Sequence, residues 1–304
     1  MQLDISEEVR AALADGGSVV GLESTVISHG LPFPDNLEVA RAMEACVRKM
    51  GAIPATVGLV DGKIVVGLSG AQIERFAQEK GIFKVSRRDF GPVLAQKACG
   101  ATTVAGTMIV CAAAGVRFFA TGGIGGVHRG ATQTFDVSAD LTELSQSAVG
   151  VICAGPKAVL DIGLTLEVLE TLGVPVIGFK SCALPAFYSR DSGFVLEYSY
   201  NTATELAAVA AQHWRIGMKS GILITNPAPE NAAIDRATVE TIITEALRAA
   251  DQAQIRGKAV TPFLLSYLGR ASGGQTLKVN KALLLNNAAA AAEIAVAFAK
   301  QTAG

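Results

Sequence analysis

Charge is scarce in this chain. Of its 304 residues only 17% are charged, and 26 basic against 27 acidic side chains leave a net charge of −1. Non-specific nucleic-acid binding draws its affinity from a basic surface, which this composition does not offer. Cysteine is sparse as well. Cys46, Cys99, Cys111, Cys153 and Cys182 are odd in number and nowhere spaced C-x-x-C, so they read as small reduced core residues of a cytoplasmic protein. No signal-peptide pattern opens the sequence, since MQLDISEEVR is acidic and polar. The longest uncharged run, Ala98 to Val116, carries Gly100, Thr102, Thr103, Gly106 and Thr107, and reads as a buried helix and a strand rather than a membrane span. Repeats, heptads, low-complexity linkers and a separate ATP phosphate loop are all missing.

What is present is apolar. Half of the residues are hydrophobic, enough for a substantial core, and the chain is read as one α/β domain over 1–304. Ala-rich helices with so little charge predict that much helix surface is covered, as in an oligomer. Short apolar runs alternate with helical stretches throughout, which predicts a three-layer α/β/α fold. Asp61-Gly62 between Ala55–Val60 and Lys63–Leu68 is a hairpin signal, so the central sheet is expected to be mixed.

The densest concentration of chemistry is TGGIGGVHRGATQTFDVSAD, Thr121 to Asp140, which follows a buried strand at Val116–Ala120. Its glycines permit tight turns and close approach to a ligand. They do not make a dinucleotide fingerprint, because Gly123-Ile124-Gly125-Gly126-Val127 is followed by His128 where a glycine is needed. A loop leaving the carboxyl end of a strand is where α/β proteins bind ligands, although a Gly-rich loop can also serve only as a turn. Asp136 and Asp140, with Arg129 as the one nearby cation and Ser138 as a candidate helix cap, could hold a hard divalent cation such as Mg²⁺ or Mn²⁺.

Three other positions carry candidate chemistry. Glu23 ends the apolar strand Ser18–Leu22; partial desolvation there suits a carboxyl to proton donation, and capping of nearby amides is the alternative. Lys84-Val85-Ser86-Arg87-Arg88-Asp89 is the one tight basic cluster. In a continuous strand Lys84, Ser86 and Arg88 would face one way and could clamp a phosphate, or form a solvated basic edge. Lys157 follows the strand Val149–Cys153 and is read in the first turn of a helix. The helix dipole there disfavours the ammonium, and the side chain is either a nucleophile or a surface lysine.

Gly-Leu-Glu-Ser-Thr-Val-Ile-Ser-His-Gly, Lys-Val-Ser-Arg-Arg-Asp, Ala-Thr-Gly-Gly-Ile-Gly-Gly-Val-His-Arg-Gly, Phe-Asp-Val-Ser-Ala-Asp and Cys-Ala-Gly-Pro-Lys occur in that order. This combination closely resembles the pseudouridine-5′-phosphate glycosidases, also called pseudouridylate synthases or indigoidine synthase A-like proteins. Asn226-Pro227 and Asn286-Asn287 extend the resemblance. It implies reversible cleavage of pseudouridine 5′-phosphate to uracil and ribose 5-phosphate by a homotrimeric mixed-sheet α/β/α enzyme, with no nucleic-acid or membrane partner. Residue by residue, Glu23 matches the proton donor, Lys157 the covalent nucleophile, Lys84 a phosphate ligand and Asp136 the residue that holds one Mn²⁺ per subunit. Ser138, Ala139 and Asp140 match a substrate-binding run, Val104 a backbone contact, and His128 and Asn280 polar groups of the pocket. Two alternatives remain open at this point: another lysine-imine lyase acting on a phosphosugar, and a non-catalytic nucleotide-binding protein on the same scaffold.

Overall fold

A computed structural model of the chain describes residues 1–255 and 260–302. In chain order its strands are β1 (Leu3–Ile5), β2 (Val19–Leu22), β3 (Ile53–Val60), β4 (Lys63–Val66), β5 (Phe83–Val85), β6 (Gly100–Thr102), β7 (Phe118–Ala120), β8 (Val127–His128), β9 (Gly150–Cys153), β10 (Leu160–Asp161), β11 (Val176–Phe179), β12 (Tyr198–Tyr200) and β13 (Ile222–Thr225). The helices that matter below are α1 (Glu7–Ala14), α2 (Asp35–Lys49), α3 (Gly70–Gln78), α4 (Phe90–Ala95), α5 (Val104–Ala114), α6 (Ala131–Thr134), α7 (Ala139–Leu144), α8 (Ile162–Thr171), α9 (Ala203–Arg215), α10 (Arg236–Gln252), α11 (Val260–Ala271) and α12 (Gln275–Thr302).

Eleven strands form one sheet whose main path runs β1-β4-β3-β2-β7-β9-β13-β11-β12, with β6 joining β3 and β5 joining β6. From β3 to β12 every neighbouring pair on that path is parallel, whereas β3–β4 and β3–β6 are antiparallel. The mixed sheet expected from Asp61-Gly62 is therefore present. Both residues take positive φ, 49° and 79°, as a two-residue hairpin turn with the right twist requires.

Side chains alternate across the sheet, so each central strand feeds two cores. Phe118, Ala120, Ile152, Ile222 and Ile224 face α2 and α9–α12, while Phe119, Val151, Cys153 and Leu223 face α1, α4, α5, α7 and α8. Helix, sheet and helix thus make three layers. α3 belongs to a smaller cluster in which Ile73 and Phe76 meet Ile27, Leu37 and Leu68. The last helix, α12, is long and apolar enough by composition to cross a membrane. Here it lies across the sheet instead, with Leu283, Leu284, Asn287, Ala288, Ala291 and Ile294 fully buried. The uncharged run Ala98–Val116 divides into β6 and α5, with Thr103 capping the helix by accepting from the Gly106 N–H.

Several expected boundaries move. The strand beginning at Lys84 ends at Val85, because Ser86 turns into a 3₁₀ segment, Arg87–Asp89, closed by the Ser86 N–H donating to Asp89. The sequence offers Asp35 or Asn36 as the cap of α2, but both lie inside the helix; the buried amide of Asn36 donates to the carbonyls of Ile27 and Ala77 and ties the segment after Glu23 to α3. The run Phe194–Tyr200 reads as a strand in the sequence, but only Tyr198–Tyr200 forms one, β12; Val195 is exposed and makes a single bridge to Ala183.

Candidate active site

β2, β7 and β9 are adjacent and parallel, so three segments remote in sequence leave the sheet side by side at their carboxyl ends. Glu23 follows β2, the Gly-rich loop follows β7, and Ala154 to Lys157 follows β9. The two loops are locked together by backbone bonds. Ala154 N–H donates to Gly122 (2.9 Å), Ile124 N–H to Gly155 (3.2 Å) and Lys157 N–H to Ile124 (3.1 Å). Gly155 has φ +83°, and a Cβ on it would lie 2.2 Å from the Pro185 carbonyl oxygen, so only glycine fits this junction.

Lys157 does not open a helix. It lies half-buried in a turn before β10, and α8 starts only at Ile162, capped by Asp161. The expected dipole effect on its amine therefore has no helix to supply it. Its nearest competitor as a nucleophile, Cys153, is fully buried, and burial pushes that thiol up to about 12, which leaves it inert at neutral pH.

Glu23 accepts a hydrogen bond from the Thr121 hydroxyl. Burial raises its pKa above the usual carboxylate range, and this outweighs the lowering by the Lys157 charge, by the Thr121 bond and, further off, by Lys84; Asp140 pushes the same way as burial. Lys84 arrives from the other side, carried on β5, whose neighbour β6 pairs with β3 beside β2. Lys84 is exposed as a residue, yet desolvation and, after it, the charge of Lys157 hold its pKa below the lysine norm; Glu23 and Asp140 oppose. The charges of Lys157 and Asp140 therefore act on both Glu23 and Lys84, which also act on each other.

The remaining basic residues do not join these four. Arg87 pairs with the buried Glu143 at 2.7 Å, and Arg88 is 88% exposed. The turn at Ser86 breaks the alternation that would have aligned Ser86 and Arg88 with Lys84. Arg129 also points elsewhere, donating to both carboxylate oxygens of Glu240 on α10, at 2.8 and 3.0 Å.

The two aspartates of the Gly-rich stretch separate as well. Asp140 is buried, and its two oxygens accept from backbone N–H groups, Ala105 at 3.0 Å and Gly125 at 2.8 Å. It thereby pins the loop to the amino end of α5, whose first residue is Val104. Gly125 has to be glycine, because a Cβ would lie 2.2 Å from the Ser138 hydroxyl and 2.8 Å from Asp140 Oδ2. Ser138 caps α7 by accepting from the Asp140 N–H, and Ala139 is exposed beside it. Asp136 stays 44% exposed, with His128 Nδ1 3.8 Å away. Among the described residues no group of three or more His, Cys, Asp or Glu side chains gathers as a metal cage.

On α12, Asn280 shares a face with Leu283, Leu284 and Asn287, by helical spacing, and that face meets the Gly-rich loop at Gly122. Asn287 is fully buried; its amide donates to the Thr121 carbonyl at 2.8 Å and to that of Gly122 at 3.5 Å, and its oxygen accepts from Asn226 at 3.1 Å. Sequence reasoning passed over Thr121, and Asn287 had only its place beside Asn286 as a signal.

A mixed α/β sheet with a carboxyl, an amine and a Gly-rich loop at the carboxyl ends of its parallel central strands, and a second amine on β5, is the scaffold of a ligand-binding enzyme of the open-sheet class. The family model for indigoidine synthase A like protein matches residues 8–297, and the chain belongs to that family. Curated relatives include the pseudouridine-5′-phosphate glycosidase of Caldanaerobacter subterraneus subsp. tengcongensis, 52% identical over 98% of this chain and 97% of its own length. That of Geobacillus kaustophilus is 50% identical over 96% of this chain and 97% of the relative. Among solved structures, the prealnumycin C-glycosynthase AlnA in complex with ribulose 5-phosphate has a TM-score of 0.94 at 42% identity, covering 100% of this chain and 99% of that one. An indigoidine synthase A-like protein from Thermotoga maritima has a TM-score of 0.88 at 35% identity, covering 97% and 95%.

Proposed function

We propose that the chain is a pseudouridine-5′-phosphate glycosidase, which with one water converts pseudouridine 5′-phosphate to uracil and ribose 5-phosphate. The observation that carries this reading is that Glu23 after β2, Lys157 after β9 and Lys84 on β5 come close enough for their charges to act on one another, in a chain half identical to glycosidases of that name.

The base in this substrate is joined by carbon to carbon, and C5 of uracil leaves only once it is protonated. Lysine chemistry answers that difficulty. Glu23, whose pKa burial raises, gives its proton to the ribose ring oxygen as the C1′–O4′ bond opens. The free amine of Lys157 adds to C1′ and loses a proton. C5 of uracil is then protonated, and the C1′–C5 bond breaks as the nitrogen lone pair forms the imine. Water hydrolyses the imine, restoring the amine and releasing ribose 5-phosphate. Lys84 binds the 5′-phosphate, so remote binding energy positions C1′. The Val104 N–H at the start of α5 and the run Ser138 to Asp140 hold the substrate around the loop, with His128 and Asn280 lining the pocket.

Mn²⁺ is the metal that this reading includes. Asp140 is committed to backbone amides, whereas Asp136 offers an exposed carboxylate in an open loop, a donor set that fits a hard ion kept largely hydrated. Such an ion supplies charge neutralisation near the sugar phosphate. A homotrimer belongs to the same reading; Val195 at 77%, Ile216 at 67% and Tyr198 at 51% exposure are apolar surface that assembly would cover. The reducing cytoplasm suits five cysteines that are all free thiols.

AlnA favours a second reading, in which the same lysine chemistry runs toward C-glycoside synthesis. Purified protein with Mn²⁺ separates the two: pseudouridine 5′-phosphate should release free uracil and ribose 5-phosphate. Failure to cleave it, with C–C bond formation on another aromatic acceptor, would select the synthase.

A further inference from the structure

We infer that Thr121 is a positioning residue for Glu23: its hydroxyl, fixed from behind by Asn287, aims the carboxyl at the substrate and sets which oxygen carries the transferable proton. The inference rests on the reading of Glu23 as the proton donor.

The geometry is a chain of buried contacts. Thr121 is the first residue after β7, fully buried, and its backbone is held at both ends of the peptide. Its N–H donates to the Ile152 carbonyl at 3.0 Å, which continues the β7–β9 pairing, and its carbonyl accepts from Asn287 Nδ2 at 2.8 Å. Asn287 is itself held by Asn226 Nδ2, and the backbone N–H of Asn226 donates to the Cys153 carbonyl at 2.8 Å. The side chain of Thr121 therefore leaves a backbone fixed on both sides and donates to Glu23 Oε1. A donor on Oε1 makes that oxygen the acceptor, so the carboxyl proton resides on Oε2. One carboxyl orientation is selected out of the two that rotation would allow.

A hydroxyl that donates to a carboxylate also stabilises its ionised form, so Thr121 tempers the rise that burial imposes on Glu23. The other charged groups facing Glu23 are Lys157 on the loop after β9, Asp140 on α7 and Lys84 on β5. The hydroxyl of Thr121 bonds Glu23 and none of these three, and Asp140 stays held by the N–H groups of Ala105 and Gly125. A proton donor works only while protonated, so the fall in kcat/KM at high pH follows the pKa of Glu23 in the free enzyme.

The test compares Thr121→Val, which keeps the shape and lacks the donor, with Thr121→Ser, which keeps the donor, in pH–rate profiles of uracil release. Thr121→Val should move the high-pH limb of kcat/KM upward and lower kcat on the plateau by up to about tenfold, the scale for losing one buried hydrogen bond. Thr121→Ser should retain the wild-type limb. Should the valine variant not fold, Thr121→Ala also lacks the donor and should show the same limb. A high-pH limb and plateau rate unchanged in both donor-free variants would overturn the inference, as would the same upward shift in Thr121→Ser. Glu23→Gln tells the two levels apart. If that variant is inactive while the donor-free Thr121 variants behave as wild type, only the positioning role fails; if Glu23→Gln keeps full turnover, the proton-donor reading and this inference fall together.

Discussion

Replacing Asp140 by Asn tests how the Gly-rich loop is held. Both carboxylate oxygens accept from backbone donors, Ala105 N–H on the first turn of α5 and Gly125 N–H in the loop. An asparagine keeps one acceptor oxygen and turns an NH₂ group toward the other N–H, so one charge-assisted bond is lost and a buried donor is left without a partner. Losing a bond to a charged group costs about 1.5–3 kcal/mol, and an unsatisfied buried N–H about 1–3 kcal/mol, two views of partly the same loss. A net destabilisation of about 2–4 kcal/mol follows. For a chain of this size, that lowers Tm by about 4–8 °C. Activity should fall in parallel, because the loop that receives the Lys157 N–H at Ile124 is no longer pinned to α5. Scanning calorimetry and steady-state uracil release would be run on the same preparation. An unchanged Tm with lost activity would refute the reasoning and make Asp140 a substrate ligand with no structural duty.

Glu23→Gln should abolish turnover yet raise Tm at pH 7–8. Its folded pKa is raised, so the cost of ionising it in the fold is absent below the unfolded value and grows as pH rises toward the folded one; the amide removes that cost. Equal Tm values for the two proteins across that pH range would contradict this. Lys84→Ala should raise KM for the 5′-phosphate about tenfold to a hundredfold, the scale of one charge-assisted contact, and leave the unphosphorylated nucleoside little affected. Equal effects on both substrates would reassign Lys84. Asp136→Ala should weaken Mn²⁺ binding in calorimetric titration with Tm unchanged, because this exposed loop carboxylate supports no core; chelation should stop wild-type turnover and Mn²⁺ restore it.

Much of the scaffold was legible because it rests on local rules. Asp61-Gly62 gave the antiparallel step in the sheet, and the apolar runs before Glu23, Gly122 and Ala154 marked the three central strands. That those strands are neighbours was not legible, since the order β2-β7-β9 is set by pairing between segments remote in sequence, Val20 with Phe118 and Phe118 with Gly150. Lys157 shows the opposite failure. Gly155-Pro156 reads as a helix start, but a backbone bridge from Pro156 to Ile124 holds the segment in a turn until Asp161. Arg129 reads as a cation of the site and instead meets Glu240 on α10, while Arg88, read as facing the same way as Lys84, is turned out to solvent. Thr121 was hidden for a simpler reason: one threonine carries no pattern, and only the approach of β2 to β7 gives its hydroxyl a partner.

The central claim is that Lys157 bonds to the sugar. Borohydride added during turnover with pseudouridine 5′-phosphate should capture the imine as a secondary amine, adding the mass of a reduced ribose 5-phosphate to the peptide that contains Lys157. Lys157→Arg, which keeps the charge and cannot form an imine, should be inactive and unlabelled. Turnover in Lys157→Arg, or uracil release under borohydride with no adduct on that peptide, would contradict the covalent role and leave Lys157 as an electrostatic residue.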